Sequence, residues 1–111
     1  MNQYEKAEIV ARCVAHLAWQ AWLPVREVAA CIGPERMEEL MSFAQCREFM
    51  SIDEMAWEIN RGCWLGYELD KDAPLPPEDF GEKTVQRMED DGLDLYTALV
   101  KALHGLFPGE F

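Results

Sequence analysis

Basic residues are scarce in this chain. Ten Lys and Arg stand against 21 Asp and Glu, a formal charge of -11 over 111 residues. That shortage argues against direct contact with nucleic acid or an anionic membrane, because both need cationic protein surface. Long apolar runs are absent too, and none approaches the roughly 20 residues a membrane span requires. The opening MNQYEKAEIV has no basic stretch followed by an apolar one, so no secretory leader is expected there. No CxxC pair occurs among Cys13, Cys31, Cys46 and Cys63, and each lies in an apolar or helical stretch. A disulfide scaffold clusters its cysteines among loops. Free thiols and a cytoplasmic location are therefore the expectation.

Catalytic signatures are equally sparse. There is no GxSxG, HExxH, P-loop or GxGxxG. Only two His occur. Cys13 with His16, or Cys63 with His104, is a formal nucleophile–base pairing, but neither is accompanied by a recognisable oxyanion-hole loop. Cys13 and His16 are spaced to share a helix face, yet a structural zinc site needs further ligands at tight spacing. Adjacent carboxylates such as Asp53 with Glu54, or Asp90 with Asp91, point in different directions on a helix. No enzyme activity, cofactor or metal is expected.

What the chain does have is material for one core. Half of its residues are hydrophobic, including four Trp, five Phe and six Met. Its length suits one domain over residues 1–111. Residues 3–22 read as an amphipathic helix on Ile9, Val10, Cys13, Val14, Leu17, Ala18 and Ala21, with Trp19 and Trp22 widening the apolar face. PVREVAACIG reads as a second helix ending at Gly33. Pro34 opens a third, predicted to run to about Met50. Ser51 with Glu54 forms a capping box for a fourth helix, stopped by Gly62. Residues 63–69 fit either a short strand or another helical turn. Residues 70–81, with three prolines, read as the one long loop. A helix follows from about Glu82 to Asp90, and Asp94 caps a last one ending near Gly105. The fold class is all-α: a bundle of five or six helices, with at most one short strand element near 63–69.

VREVAACIG resembles the first helix and turn of a helix-turn-helix DNA reader. The resemblance spans about twenty residues. It breaks down at Pro34, at Glu39 and Ser42, and in the three Glu of PERMEELMSF, which phosphates would repel. A plain helical corner, or one used for protein contact, fits better.

Charge is uneven along the chain. Residues 1–50 carry five basic and seven acidic side chains, and residues 51–111 carry five and fourteen. In the second half, aromatics interleave with acids. Trp57, Trp64, Tyr67 and Phe80 stand among Asp53, Glu54, Glu58, Glu68, Asp70, Asp72, Glu78, Asp79 and Glu82. Aromatic anchors ringed by one sign of charge suit a basic protein partner: the acids speed encounter and the aromatics slow release. The nine acids with Trp64, Tyr67 and Phe80 are the candidate partner-binding set of twelve, as a monomer or a homodimer.

In length, charge, lack of catalytic motifs and the acidic stretch DKDAPLPPEDFGE, the chain resembles the small acidic anti-CRISPR proteins of bacteriophages and mobile elements. The resemblance implies a stoichiometric inhibitor acting in the host cytoplasm. Such an inhibitor occupies a basic nucleic-acid-binding groove of a defence complex and competes with DNA or RNA there. The rival reading is a structural or assembly protein, a homodimer whose interface buries the surplus Trp and Met. If the acidic loop makes the contact, replacing Asp70, Asp72, Glu78 and Asp79 together with Lys abolishes partner binding and leaves the far-UV circular dichroism spectrum unchanged. Unaltered affinity in that variant would remove the loop from the interface.

Overall fold

The computed structural model describes residues 3–41, 51–61, 77 and 79–111. Within them lie six α-helices: α1 Gln3–Gln20, α2 Val25–Ile32, α3 Pro34–Met41, α4 Ile52–Arg61, α5 Phe80–Asp91 and α6 Leu95–Leu106. Among the described residues the chain is all-α, as its periodicity predicts. The Cα radius of gyration is 12.9 Å, close to the ~13 Å of a compact domain this long.

α1 is the central element. It packs against α2, α3, α4 and α5. Ala7, Ile9, Val10, Cys13, Val14 and Leu17 are all buried, and so are Ala11 and Ala15 on the other sides of the same helix. Small residues on those sides let neighbouring helices approach closely. The helix is thus buried on most of its circumference between Ala7 and Ala18, which exceeds the single apolar stripe its spacing suggested. Even Glu8 is buried, facing Arg12 one turn on, with Nη2 to Oε1 at 3.4 Å.

Trp19 and Trp22 do not widen that buried face. They are 65 % and 93 % exposed. Neighbouring helices enclose α1 only as far as Ala18. Beyond it the chain turns, and both indoles leave the bundle.

The shorter helices each contribute one apolar edge. α2 buries Val25, Val28, Ala29 and Ile32. α3 contributes Met37, α4 Met55 and Ile59, α5 Phe80, and α6 Leu99 and Leu103. These side chains form one cluster that draws on all six helices. Leu→Ala at a site such as Leu17 or Leu99 removes about 2–5 kcal/mol by loss of transfer energy and cavity formation.

Several boundaries were legible. Gly33, with φ 101°, ends α2, and its N–H donates to Ala29 O at 2.9 Å. The Glu54 N–H donates to Ser51 Oγ at 3.2 Å, so Ser51 caps α4 as its side chain predicts. Asp94 caps α6, accepting from Thr97 N–H at 2.7 Å. Hydrogen bonds from Thr97 hold the Asp94 carboxyl below the usual carboxylate range. A depressed pKa in the folded state means that this cap stabilises fully above the ordinary range. Its contribution is lost as pH falls through the lowered value. The predicted extension of α3 to Met50, the stop at Gly62, the segment 63–69 and most of the 70–81 loop lie outside the described residues.

α6 ends at Leu106, near Gly105 as predicted, and the N–H of buried Phe107 behind it continues the ladder to Leu103 O at 2.9 Å. Two boundaries depart from expectation. α1 ends at Gln20 rather than at residue 22. α5 begins at Phe80 rather than Glu82. Its cap is tertiary. The Asp79 side chain makes no capping bond. Instead Gln20, at the end of α1, accepts from the Glu82 N–H through Oε1 at 2.8 Å. Gly81 permits the approach. A Cβ there would lie 2.8 Å from the His16 carbonyl oxygen and would overlap the Gln20 amide. Because one of the colliding atoms is backbone, Gly81→Ala should lower stability by about 1–3 kcal/mol through overpacking, whereas helix propensity alone would favour Ala. Urea unfolding midpoints of the two proteins check this. An unchanged or raised midpoint would mean that α1 and α5 do not meet so closely.

Candidate binding surface

The twelve predicted contact residues divide into three groups. Trp64, Tyr67, Glu68, Asp70, Asp72 and Glu78 lie outside the described residues, and of Glu58 only its backbone on α4 is described. Phe80 corrects the expectation. It is 2 % exposed and belongs to the core, so it is not an aromatic anchor. It reads as a loop residue only because its burial depends on α1, which lies about sixty positions earlier.

The remaining four are on the surface, but two are engaged within the chain. Asp53 on α4 pairs with the Arg26 guanidinium on α2. Asp79 pairs with Lys83 one turn along, at 3.1 Å. Exposed pairs of this kind contribute about 0–1 kcal/mol and exchange readily with other partners. Glu54 and Glu82 are exposed in the first turns of α4 and α5, where a carboxylate is stabilised by the helix dipole. Each of these four acids has a role in the fold of this chain.

A different set of acids stands against a helix dipole. Glu89, Asp90 and Asp91 end α5 and are exposed. The last turn of α5 holds no basic residue. Carboxylates at a helix C-terminus face the negative end of the dipole and cost about 0.3–1 kcal/mol each. The Gln86 Nε2 amide donates to Asp90 Oδ1 at 2.9 Å, which orients one of them without neutralising it.

Of the aromatics that the sequence pattern set among acids, Trp57 is exposed as expected, but the other exposed aromatics lie elsewhere. Trp19, Trp22 and Leu23 are exposed at the corner between α1 and α2, and Trp57 is 58 % exposed on α4. The Trp19 indole lies against His16, ring centroids 5.7 Å apart. Trp22 has φ 57°. It occupies the left-handed position that closes α1: the Leu23 N–H donates to Ala18 O at 2.9 Å, and the Trp22 N–H to Trp19 O at 3.4 Å. This is the glycine-favouring helix stop in which the chain turns through a left-handed residue. α5 ends the same way, with Gly92 at φ 65° and the Leu93 N–H donating to Met88 O at 3.2 Å. One closure uses glycine. The other uses tryptophan, for which left-handed backbone costs about 1–2 kcal/mol. The sequence signal available for this was negative: a helix followed by Trp-Leu-Pro, with no Gly or Asn to end it.

Two clefts are lined by described residues. One, of about 290 Å³, lies between α5 and α6, with Lys83 and Arg87 over a floor of Phe80, Ala102 and Leu106. The other, of about 310 Å³, brings Lys6, Glu39, Tyr96, His104 and Phe111 to one place. Arg36 stacks over the Tyr96 ring beside it, 4.7 Å from the centroid. Among the described residues, no group of three His, Cys, Asp or Glu is arranged to hold a metal ion. Burial pushes the Cys13 thiol up to about 12. It therefore stays protonated at neutral pH, and the Cys13–His16 pairing supplies no thiolate. Cys31, by contrast, is exposed on α2. No described helix is long and apolar enough to cross a membrane.

If the left-handed conformation at Trp22 is strained, Trp22→Gly should stabilise the fold by about 1 kcal/mol, since the exposed indole contributes little packing and glycine adopts this backbone freely. Thermal and urea midpoints should both rise. A fall in either would show that the indole packs in solution.

Comparison with known proteins finds no match among family models, curated proteins or solved structures.

Proposed function

We propose that this chain is a non-enzymatic acidic binding protein. It acts as a stoichiometric inhibitor by occupying a basic, nucleic-acid-binding surface of another macromolecule, in the manner of the anti-CRISPR proteins it resembles. The observation that carries the reading is the exposed run Glu89, Asp90, Asp91 at the end of α5. Three carboxylates stand against a helix dipole there with no cation in that turn to offset them, and the Gln86 amide orients Asp90 without neutralising it. Their charge is available to a partner's Lys and Arg.

The physics of such inhibition is direct. A groove that binds nucleic acid is lined with cations. A folded protein that holds carboxylates on helices presents anions already ordered, so little entropy is lost on binding. The excess negative charge also steers encounter, and that attraction weakens as salt screens it.

Triple charge reversal tests this reading. Glu89→Lys, Asp90→Lys and Asp91→Lys together should leave the fold intact, or stabilise it, because cations suit a helix C-terminus. The same variant should lose its hold on nucleic-acid-binding proteins that the wild type retains from a lysate of its source cells at low salt. Added DNA should compete for those proteins. If the wild type retains none, or if retention survives both charge reversal and high salt, the protein is not an electrostatic inhibitor of this kind.

A further inference from the structure

The exposed corner between α1 and α2 has chemistry that the acidic run does not explain. Trp19, Trp22 and Leu23 are all exposed within five residues of chain at the end of α1. With 150–250 Å² per aromatic side chain, they present on the order of 400 Å² of apolar surface. An apolar patch of that size on a monomer is often functional. Tryptophan is also the residue most enriched among energetic anchors of interfaces.

Trp22 is held there at a cost. The left-handed position it fills is filled by Gly92 at the equivalent point of α5. Non-glycine residues in this conformation persist where the surroundings enforce them, and such residues concentrate at binding sites. Here the double hydrogen bond from Trp22 and Leu23 back to Trp19 and Ala18 enforces it.

The charges around the corner point to the occupant. Glu27, in the first turn of α2, is exposed. Arg26 beside it is already engaged by Asp53. Trp57 lies one helical turn after Asp53, on the same side of α4, because residues four apart on a helix are neighbours. Exposed Glu54 stands at the start of that helix. Indole faces close to carboxylates attract cations by quadrupole and by charge together. A second copy of this chain fits poorly. About 400 Å² per side is half of what a stable dimer buries, and two chains of charge -11 would be brought together.

We propose that the α1–α2 corner is a docking site for an arginine-bearing segment of a basic protein partner, with Trp22 and Trp19 stacking on guanidinium groups and Glu27 pairing with a neighbouring cation. This rests on the acidic-binder reading above and names a contact surface that the reading leaves open.

The probe is a nona-arginine peptide at low salt, with nona-lysine and an uncharged Gly-Ser peptide of the same length beside it. Nona-arginine should quench tryptophan emission and bind more tightly than nona-lysine, because a planar guanidinium stacks and an ammonium does not. Trp22→Gly should weaken nona-arginine binding about tenfold, with helicity retained. Trp22→Phe, which keeps an aromatic face, should recover part of the loss. If Trp22→Gly binds nona-arginine as the wild type does while the Glu89, Asp90 and Asp91 reversal abolishes binding, the corner is not the site and the acidic reading stands. If nona-arginine binds neither protein, both fall. If light scattering finds a wild-type dimer that Trp22→Gly dissociates, the occupant is a second copy and the proposal is overturned.

Discussion

Enclosure of α1 is the constraint from which the rest of the structure follows. Between Ala7 and Ala18 this helix has neighbours on nearly every side, and its alanines let those neighbours come close. That enclosure desolvates Cys13, so its thiol is inert. It brings Gln20 to the start of α5, where it replaces a cap that Asp79 does not provide. It also limits how far the chain can remain buried. The bundle closes at Ala18, and everything beyond that residue must either turn back or project. Trp19 and Trp22 project. The aromatic corner is thus a consequence of where the core ends.

The electrostatics divide along similar lines. Acids that begin helices, such as Glu54, Glu82 and Asp94, serve local structure: they complement a dipole or satisfy a backbone N–H. Asp53 and Asp79 each hold a cation of this chain. The acids that end α5 do neither, and Trp22 fills a left-handed position that suits glycine. The acids at a helix C-terminus and the left-handed Trp22 both cost stability where they stand. A close match between local preference and global fold is the rule for natural sequences, and departures from it are expected at sites kept for another purpose.

Most of the helices could be read directly. Ser51, Gly33, Asp94 and the apolar spacing of α2 and α6 act over a few residues, and such signals survive in any tertiary setting. The binding surface could not be read in the same way. Phe80 stands in a proline-rich acidic stretch that looks solvent-facing, yet it is core because α1 covers it. Trp19 continues the apolar period of α1, yet it is exposed because no helix covers it. Hydrophobicity along the chain does not distinguish a side chain that finds a neighbour from one that does not.

The amino-acid sequence alone determined that the described segments are helical and that the chain has a strong surplus of negative charge, and it marked several helix ends. Those properties depend on hydrogen bonds and side-chain spacing within a turn or two, and on a count of charges. Only the tertiary structure decided which aromatics are buried, which acids are already paired, that Gln20 caps a helix about sixty residues away, and that Trp22 occupies a glycine's conformation. Each of these depends on contacts between segments distant in the chain, and such contacts exist only once the helices have packed.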